Sequence, residues 1–139
     1  MDFSGINWLA VIVSTLAAWG LGALWYSKVL FSSTWQKGAG LTDDDIQGAN
    51  MGLIFGTSFV LMFIMILGLA LSLNGHAGAE ITSPFQGFLH GIIMGVLFVA
   101  TSSGINYLYQ RRPFSLWLID AGYQVLFLGI AGVILTLWN

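Results

Sequence analysis

Asp120 stands in an apolar stretch, Phe114 to Trp138, that holds no other formal charge. A carboxyl group in such a place can exchange a proton or bind a cationic group. Tyr123 and Gln124 follow at three and four residues, so on a helix they share its face, and Phe127 continues the stripe. Thr57 and Ser58, and Ser102, Ser103 and Asn106, fall at a comparable distance into apolar stretches of their own. The spacing predicts a polar layer made of Asp120, Asn106, Tyr123, Gln124, Ser102, Ser103, Thr57 and Ser58.

Other reactive residues are sparse. His76, Glu80 and His90 form a weak metal constellation whose spacing matches no ligand motif, and a histidine bonded to a backbone carbonyl is the simpler expectation for His90. Asp43, Asp44 and Asp45 are adjacent, but successive helix residues point in different directions and cannot converge on one ion. They fit a helix start better: Thr42 caps, Asp45 takes the third helical position, and the helix dipole favours each charge by about 0.3 to 1 kcal/mol. Cysteine is absent, which excludes disulfides and thiolate metal sites. No serine, histidine and acid cluster at one depth, so the expectation is a protein that is not an enzyme and needs no metal or cofactor.

The elements that position these residues are four apolar runs, roughly Ile6–Ser27, Met51–Leu73, Gly87–Tyr109 and Phe114–Trp138, of which only the last contains a formal charge. About 20 apolar residues, rising 1.5 Å each, cross a hydrocarbon layer of roughly 30 Å. Each run is long enough, and none alternates as a barrel strand would. Charged residues make up 7% of the chain, against about 25% in soluble domains. The expected fold is therefore all-α: one integral membrane domain over residues 1–139, a bundle of four transmembrane helices. The second helix is expected to begin near Asp43 and project from the bilayer as one rod.

Lys28, Lys37, Arg111 and Arg112, all the Lys and Arg of the chain, lie in or beside the first and third connections. Short basic loops stay in the cytoplasm. Loops 31–50 and 110–113 are accordingly expected inside and both termini outside, in a bacterial inner membrane. Met1 to Gly5 has no basic residue, so the first helix is expected to be retained. Trp25, Tyr26, Trp35, Tyr107, Tyr109 and Trp117 mark the inner interface, and Phe3, Trp8, Phe85 and Trp138 the outer one. The net charge of −2 speaks against nucleic acid, and no segment carries the four to eight basic residues of a headgroup patch. The expected partners are the lipid bilayer and further copies of the chain.

Lipid tails are as apolar as leucine, so helices in a membrane attract one another through close contact of small residues. Gly87, Gly91 and Gly95 form one groove, Gly52 and Gly56 a second, Ala18 and Gly22 a third. Each can seat a helix of the same chain or of a second copy. At six residues into its helix, Asp120 lies on the order of 9 Å deep, where an ionised carboxylate near the centre costs roughly 2.5 to 3.5 kcal/mol. Two readings follow. In the first, a neutral Asp120 hydrogen-bonds Asn106 or a serine and joins helices, and the protein is structural or accessory. In the second, Asp120, Asn106, Tyr123 and Gln124 serve a dimeric transporter or channel for a small cation or a proton-linked solute. The small-molecule ligand, if any, is not legible.

Asn7-Trp8-Leu9-Ala10-Val11, Leu21-Gly22-Ala23-Leu24-Trp25-Tyr26-Ser27, Gly40-Leu41-Thr42, Gly104-Ile105-Asn106-Tyr107-Leu108 and Ile119-Asp120-Ala121-Gly122-Tyr123 occur in this order across nearly the whole chain. In these segments the chain resembles the bacterial membrane family called domain of unknown function 1761. The resemblance implies four membrane helices and no known activity. The chain departs from the pattern at Lys28, where the resemblance implies proline, and at Asp120, where it implies asparagine. A titratable group at that position is then not a requirement of the family.

Overall fold

The structure, a computed structural model, describes residues 3–75 and 81–138, and all regular structure among them is helical. In chain order the helices are α1 (Trp8–Trp25), α2 (Ser32–Ala39), α3 (Asp43–Gln47), α4 (Met51–Asn74), α5 (Pro84–Met94), a π-helical segment (Gly95–Ala100), α6 (Thr101–Tyr109) and α7 (Phe114–Leu137). α1, α4, the continuous span from Pro84 to Tyr109, and α7 are long and apolar enough to cross a membrane.

Each span starts where the residues dictate. Asn7 and Asn50 turn their side-chain oxygens onto the Ala10 and Leu53 amides, at 3.1 Å in each case, and so cap α1 and α4. Ser83 and Gln86 form a reciprocal capping box ahead of α5, with Pro84 at its first position. Pro113, extended at φ −60° and ψ 143°, precedes α7.

α7 is the hub: half of its apolar window is buried, against 17% to 28% for the other spans. The Gly87, Gly91 and Gly95 groove receives it. A methyl group at Gly87 would meet the Gly132 carbonyl and the Thr136 hydroxyl, one at Gly91 the Leu128 carbonyl, and one at Gly95 the Val125 Cα at 2.9 Å. Backbone therefore lies directly on backbone, which is how helices gain contact without a hydrophobic driving force. On the opposite side α1 lays Val11 and Ala18 against α7 residues such as Tyr123 and Phe127, and Ile66 of α4 completes the core. The second groove differs. Gly56 has nothing within 4 Å and Gly52 only the side chain of Asn50 at 3.6 Å, so this face of α4 is turned outward.

One end of the bundle brings together Gly5, Asn7, Asn74 and Trp138: the Asn7 side-chain amide donates to the Trp138 carbonyl at 2.9 Å, and that of Asn74 to the Gly5 carbonyl at 3.0 Å. The other, the loop end, holds α2, α3 and the α6–α7 turn.

Two expectations about the loop end are corrected. The first is the single rod from Asp43. α3 ends at Gln47, and Gly48 to Asn50 interrupt the helix because Asn50 leaves helical geometry (φ −77°, ψ 89°) to cap α4. The second concerns the loop 31–50, in which Ser32–Ala39 form a helix, α2, that packs on α7 through Gly38 and Leu116. α2 stops at Gly40, whose φ of 69° suits only glycine at low cost.

α3 starts as its sequence implies, with a capping box between Thr42 and Asp45. The bond from the Thr42 backbone amide (2.9 Å), then the contact with the Thr42 side chain, hold the Asp45 carboxyl below its ordinary value of 3.8. A folded value below the unfolded one stabilises the cap above the unfolded value. That stability is lost as pH falls through the lowered, folded value. The Thr42 amide resonance is therefore expected to stay constant from neutral pH down to about pH 5 and to shift only in stronger acid. A shift beginning near neutrality would contradict the assignment.

Within the third span, the π-helical segment loosens the regular ladder, and side chains take up the carbonyls around it. The Trp117 indole N–H donates to the Ala100 carbonyl at 3.0 Å, Ser103 to the same oxygen at 3.1 Å, and Thr101 to the Leu97 carbonyl at 2.6 Å. π-helical turns of this kind are rare and recur at functional sites. Here the following helix, α6, aims Tyr107 at α7.

Candidate functional site

Asp120 projects from α7 between two phenols. The Tyr26 hydroxyl, at the C-cap of α1, donates to Asp120 Oδ1 at 2.7 Å, and the Tyr107 hydroxyl, on α6, donates to Oδ2 at 2.6 Å. Three helices thus meet at one carboxyl group, and both of its oxygens have a donor. One turn deeper, the buried Tyr123 hydroxyl donates to the Ala18 carbonyl at 2.8 Å and lies 3.2 Å from the Met62 sulfur, which links α7 to α1 and α4. Gly22 makes room for that ring, because a methyl group there would stand 2.8 Å from the Tyr123 oxygen.

Aromatic rings enclose the group. Tyr26 packs edge-on against Trp35 of α2 at 5.8 Å and against Tyr123 at 5.4 Å. Trp25 donates its indole N–H to the Ile119 carbonyl at 2.9 Å, beside Asp120 in sequence, and packs at a tilt against Phe31 with ring centres 4.8 Å apart. Chemically, the arrangement satisfies an acid in a poorly solvated place without a basic partner. Lys28 does not enter it and is exposed.

The predicted polar layer is gathered only in part. Asp120 and Tyr123 lie in the network. Ser58 and Ser103 instead donate to carbonyls of their own helices, Phe55 at 2.9 Å and Ala100 at 3.1 Å. Thr57, Ser102 and Asn106 are exposed, and Gln124 is half-buried. The expected Asn106 or serine partner of Asp120 is corrected to Tyr26 and Tyr107. Both were assigned to the interface belt, yet a phenol reaches farther inward than a serine or asparagine from the same turn. The signal in the sequence was that Tyr26 and Tyr107 end spans running in the same direction, at the end where Asp120 begins its own.

Residues 9–136 match the family model described as Protein of unknown function (DUF1761). The chain belongs to this family. No curated protein and no solved structure matches it. In this DUF1761 protein the match takes in the whole Asp120 network, from Ala18 and Tyr26 through Met62 and Tyr107 to Tyr123.

The remaining candidates lie elsewhere. His90 Nε2 lies 2.8 Å from the Ser72 hydroxyl of α4. That pair is at the opposite end of the bundle from Asp120. His76 and Glu80 fall outside the described residues. Asp43 accepts from the Gln36 amide at 2.8 Å while Asp45 turns back to Thr42, so these carboxylates serve different partners.

Proposed function

We propose that this DUF1761 protein is a structural or accessory component of a bacterial inner membrane that self-associates through α4, with its loop end in the cytoplasm. The observation that carries the reading is the occupation of Asp120. Both oxygens already bind hydroxyls from two other helices, so the acid acts as a joint between spans. Two of the three small-residue grooves are likewise filled within the chain: Gly87, Gly91 and Gly95 by α7, and Ala18 with Gly22 by Tyr123. Gly52 and Gly56 remain open, on a face that also exposes Leu53 and Val60. A second copy approaching there gains the same backbone proximity that α5 and α7 share.

Self-association is tested by energy transfer between donor- and acceptor-labelled chains in lipid vesicles. Gly56→Ile is expected to reduce transfer to the level of a non-associating membrane protein while helix content stays unchanged. Wild-type transfer at that background level, or transfer indifferent to the substitution, removes the α4 interface. The competing transport reading makes the opposite demand on Asp120. If Asp120→Asn keeps its fold but abolishes a proton or cation flux that the wild type carries, the structural reading fails. Orientation is open to labelling, because the chain has no native cysteine to interfere. A cysteine at Ser33 is expected to react only with a membrane-permeant maleimide, and one at Ser4 also with an impermeant reagent.

A further inference from the structure

Along the sequence the four basic residues are scattered, and no segment holds enough of them for a headgroup patch. The fold gathers them. Lys28 follows α1 closely and Arg111 and Arg112 follow α6, and these two helix ends are joined because Tyr26 and Tyr107 donate to the same carboxyl group. Lys37 rides on α2, whose last carbonyl, at Ala39, accepts from Arg112 Nη1 at 3.0 Å. All four side chains are exposed.

Arg111 contributes an independent observation. Its φ of 54° is the only positive value at a non-glycine residue among those described. Hydrogen bonds from the Arg111 backbone N–H to the Leu108 carbonyl (3.1 Å) and from the Arg112 N–H to the Tyr107 carbonyl (2.9 Å) close α6 in the manner that normally places glycine at this position. An arginine therefore occupies a left-handed position where glycine is less strained, in the turn between α6 and α7, and the residue is exposed. The acids of the same end are engaged within the loop: Asp43 with Gln36, Asp45 with Thr42, and all three aspartates in the first turn of α3.

We infer that the loop end is a docking surface for the phosphate group of an anionic phospholipid, with Arg111, Arg112 and Lys37 as its ligands and Lys28 at its margin. Charge complementarity selects the partner. Guanidinium groups recognise phosphate through paired donors, and basic residues beside a membrane span attract anionic lipids. The surface is separate from the α4 face proposed for self-association, so either can fail without the other.

Native mass spectrometry of the detergent-purified chain, given equimolar dioleoyl phosphatidylglycerol and dioleoyl phosphatidylcholine, reads the preference directly on the monomer peak. The wild type is expected to retain the anionic lipid in excess. Arg111→Gly is expected to lower the ratio of the two adducts about fivefold, and Lys37→Gln by a similar factor. Glycine suits the left-handed backbone, so Arg111→Gly should keep its helix content, which circular dichroism checks. Asp44→Asn removes a negative charge from the same end and should raise the ratio. A wild-type ratio of one overturns the proposal, as does an unchanged ratio in the Arg111→Gly/Lys37→Gln double variant or a fall in Asp44→Asn.

Discussion

Gly91→Ala is expected to destabilise the bundle by about 1 to 3 kcal/mol, whereas Gly56→Ala leaves it unchanged or stabilises it by up to about 1 kcal/mol. The two substitutions are chemically identical, and both sit in helices, so propensity alone predicts a gain for each. What separates them is the space around the new methyl group. At Gly91 it meets the Leu128 carbonyl and stands 2.9 Å from the Gly129 Cα, and backbone cannot rotate aside as a side chain can. α5 must withdraw from α7, and the contacts of Gly87 and Gly95 loosen with it. At Gly56 nothing lies within 4 Å. Unfolding in dodecyl maltoside titrated with sodium dodecyl sulfate, followed by circular dichroism, gives the comparison. Equal effects at the two positions would mean that α5 and α7 are not in backbone contact.

The second large effect concerns Asp120. Asp120→Leu removes the acceptor of two hydroxyls at once, and each polar group left without a partner costs about 1 to 3 kcal/mol in a buried setting. Hydrogen bonds in membranes average nearer 0.6 kcal/mol, because the separated helices find other partners. A total loss of about 1 to 4 kcal/mol is therefore expected. Removing the stranded hydroxyls should repair most of it. Asp120→Leu combined with Tyr26→Phe and Tyr107→Phe is expected to be more stable than Asp120→Leu alone, since an apolar trio leaves nothing unsatisfied. The same denaturant titration measures it. A triple variant less stable than the single one would show that the phenols serve some purpose other than meeting Asp120.

The membrane spans were plain in the sequence because hydrocarbon tolerates so few residue types that an uncharged run long enough to cross it has almost no other use. The polar layer was only half legible. Depth along a helix can be counted, so Asp120, Ser103 and Thr57 were placed at similar levels, but counting says nothing about which way a helix is rotated. Thr57 consequently faces outward while Asp120 faces the bundle. Ser58 and Ser103 were drawn to the nearest carbonyl of their own helix, a choice that residue type allows and spacing does not rule out. Tyr26 and Tyr107 escaped notice because their Cα atoms belong to the interface while their hydroxyls do not. α2 escaped because eight residues with two serines and a glycine give a weak helical pattern, and its packing on Leu116 of α7 stabilises it. The glycine groove of the third span was visible, but its occupant was not, since Gly129 and Gly132 of α7 show their role only once that helix is laid across the groove.

Because α7 is the helix on which the others pack, and translation delivers it after the other three spans, the order of synthesis runs against the order of dependence. α1, α4 and the third span leave the ribosome before the surface they are shaped to meet exists. During that interval the groove of Gly87, Gly91 and Gly95 lacks the helix that fills it in the folded chain. A chain stalled before residue 114 therefore carries three spans whose shared packing partner has not yet been made.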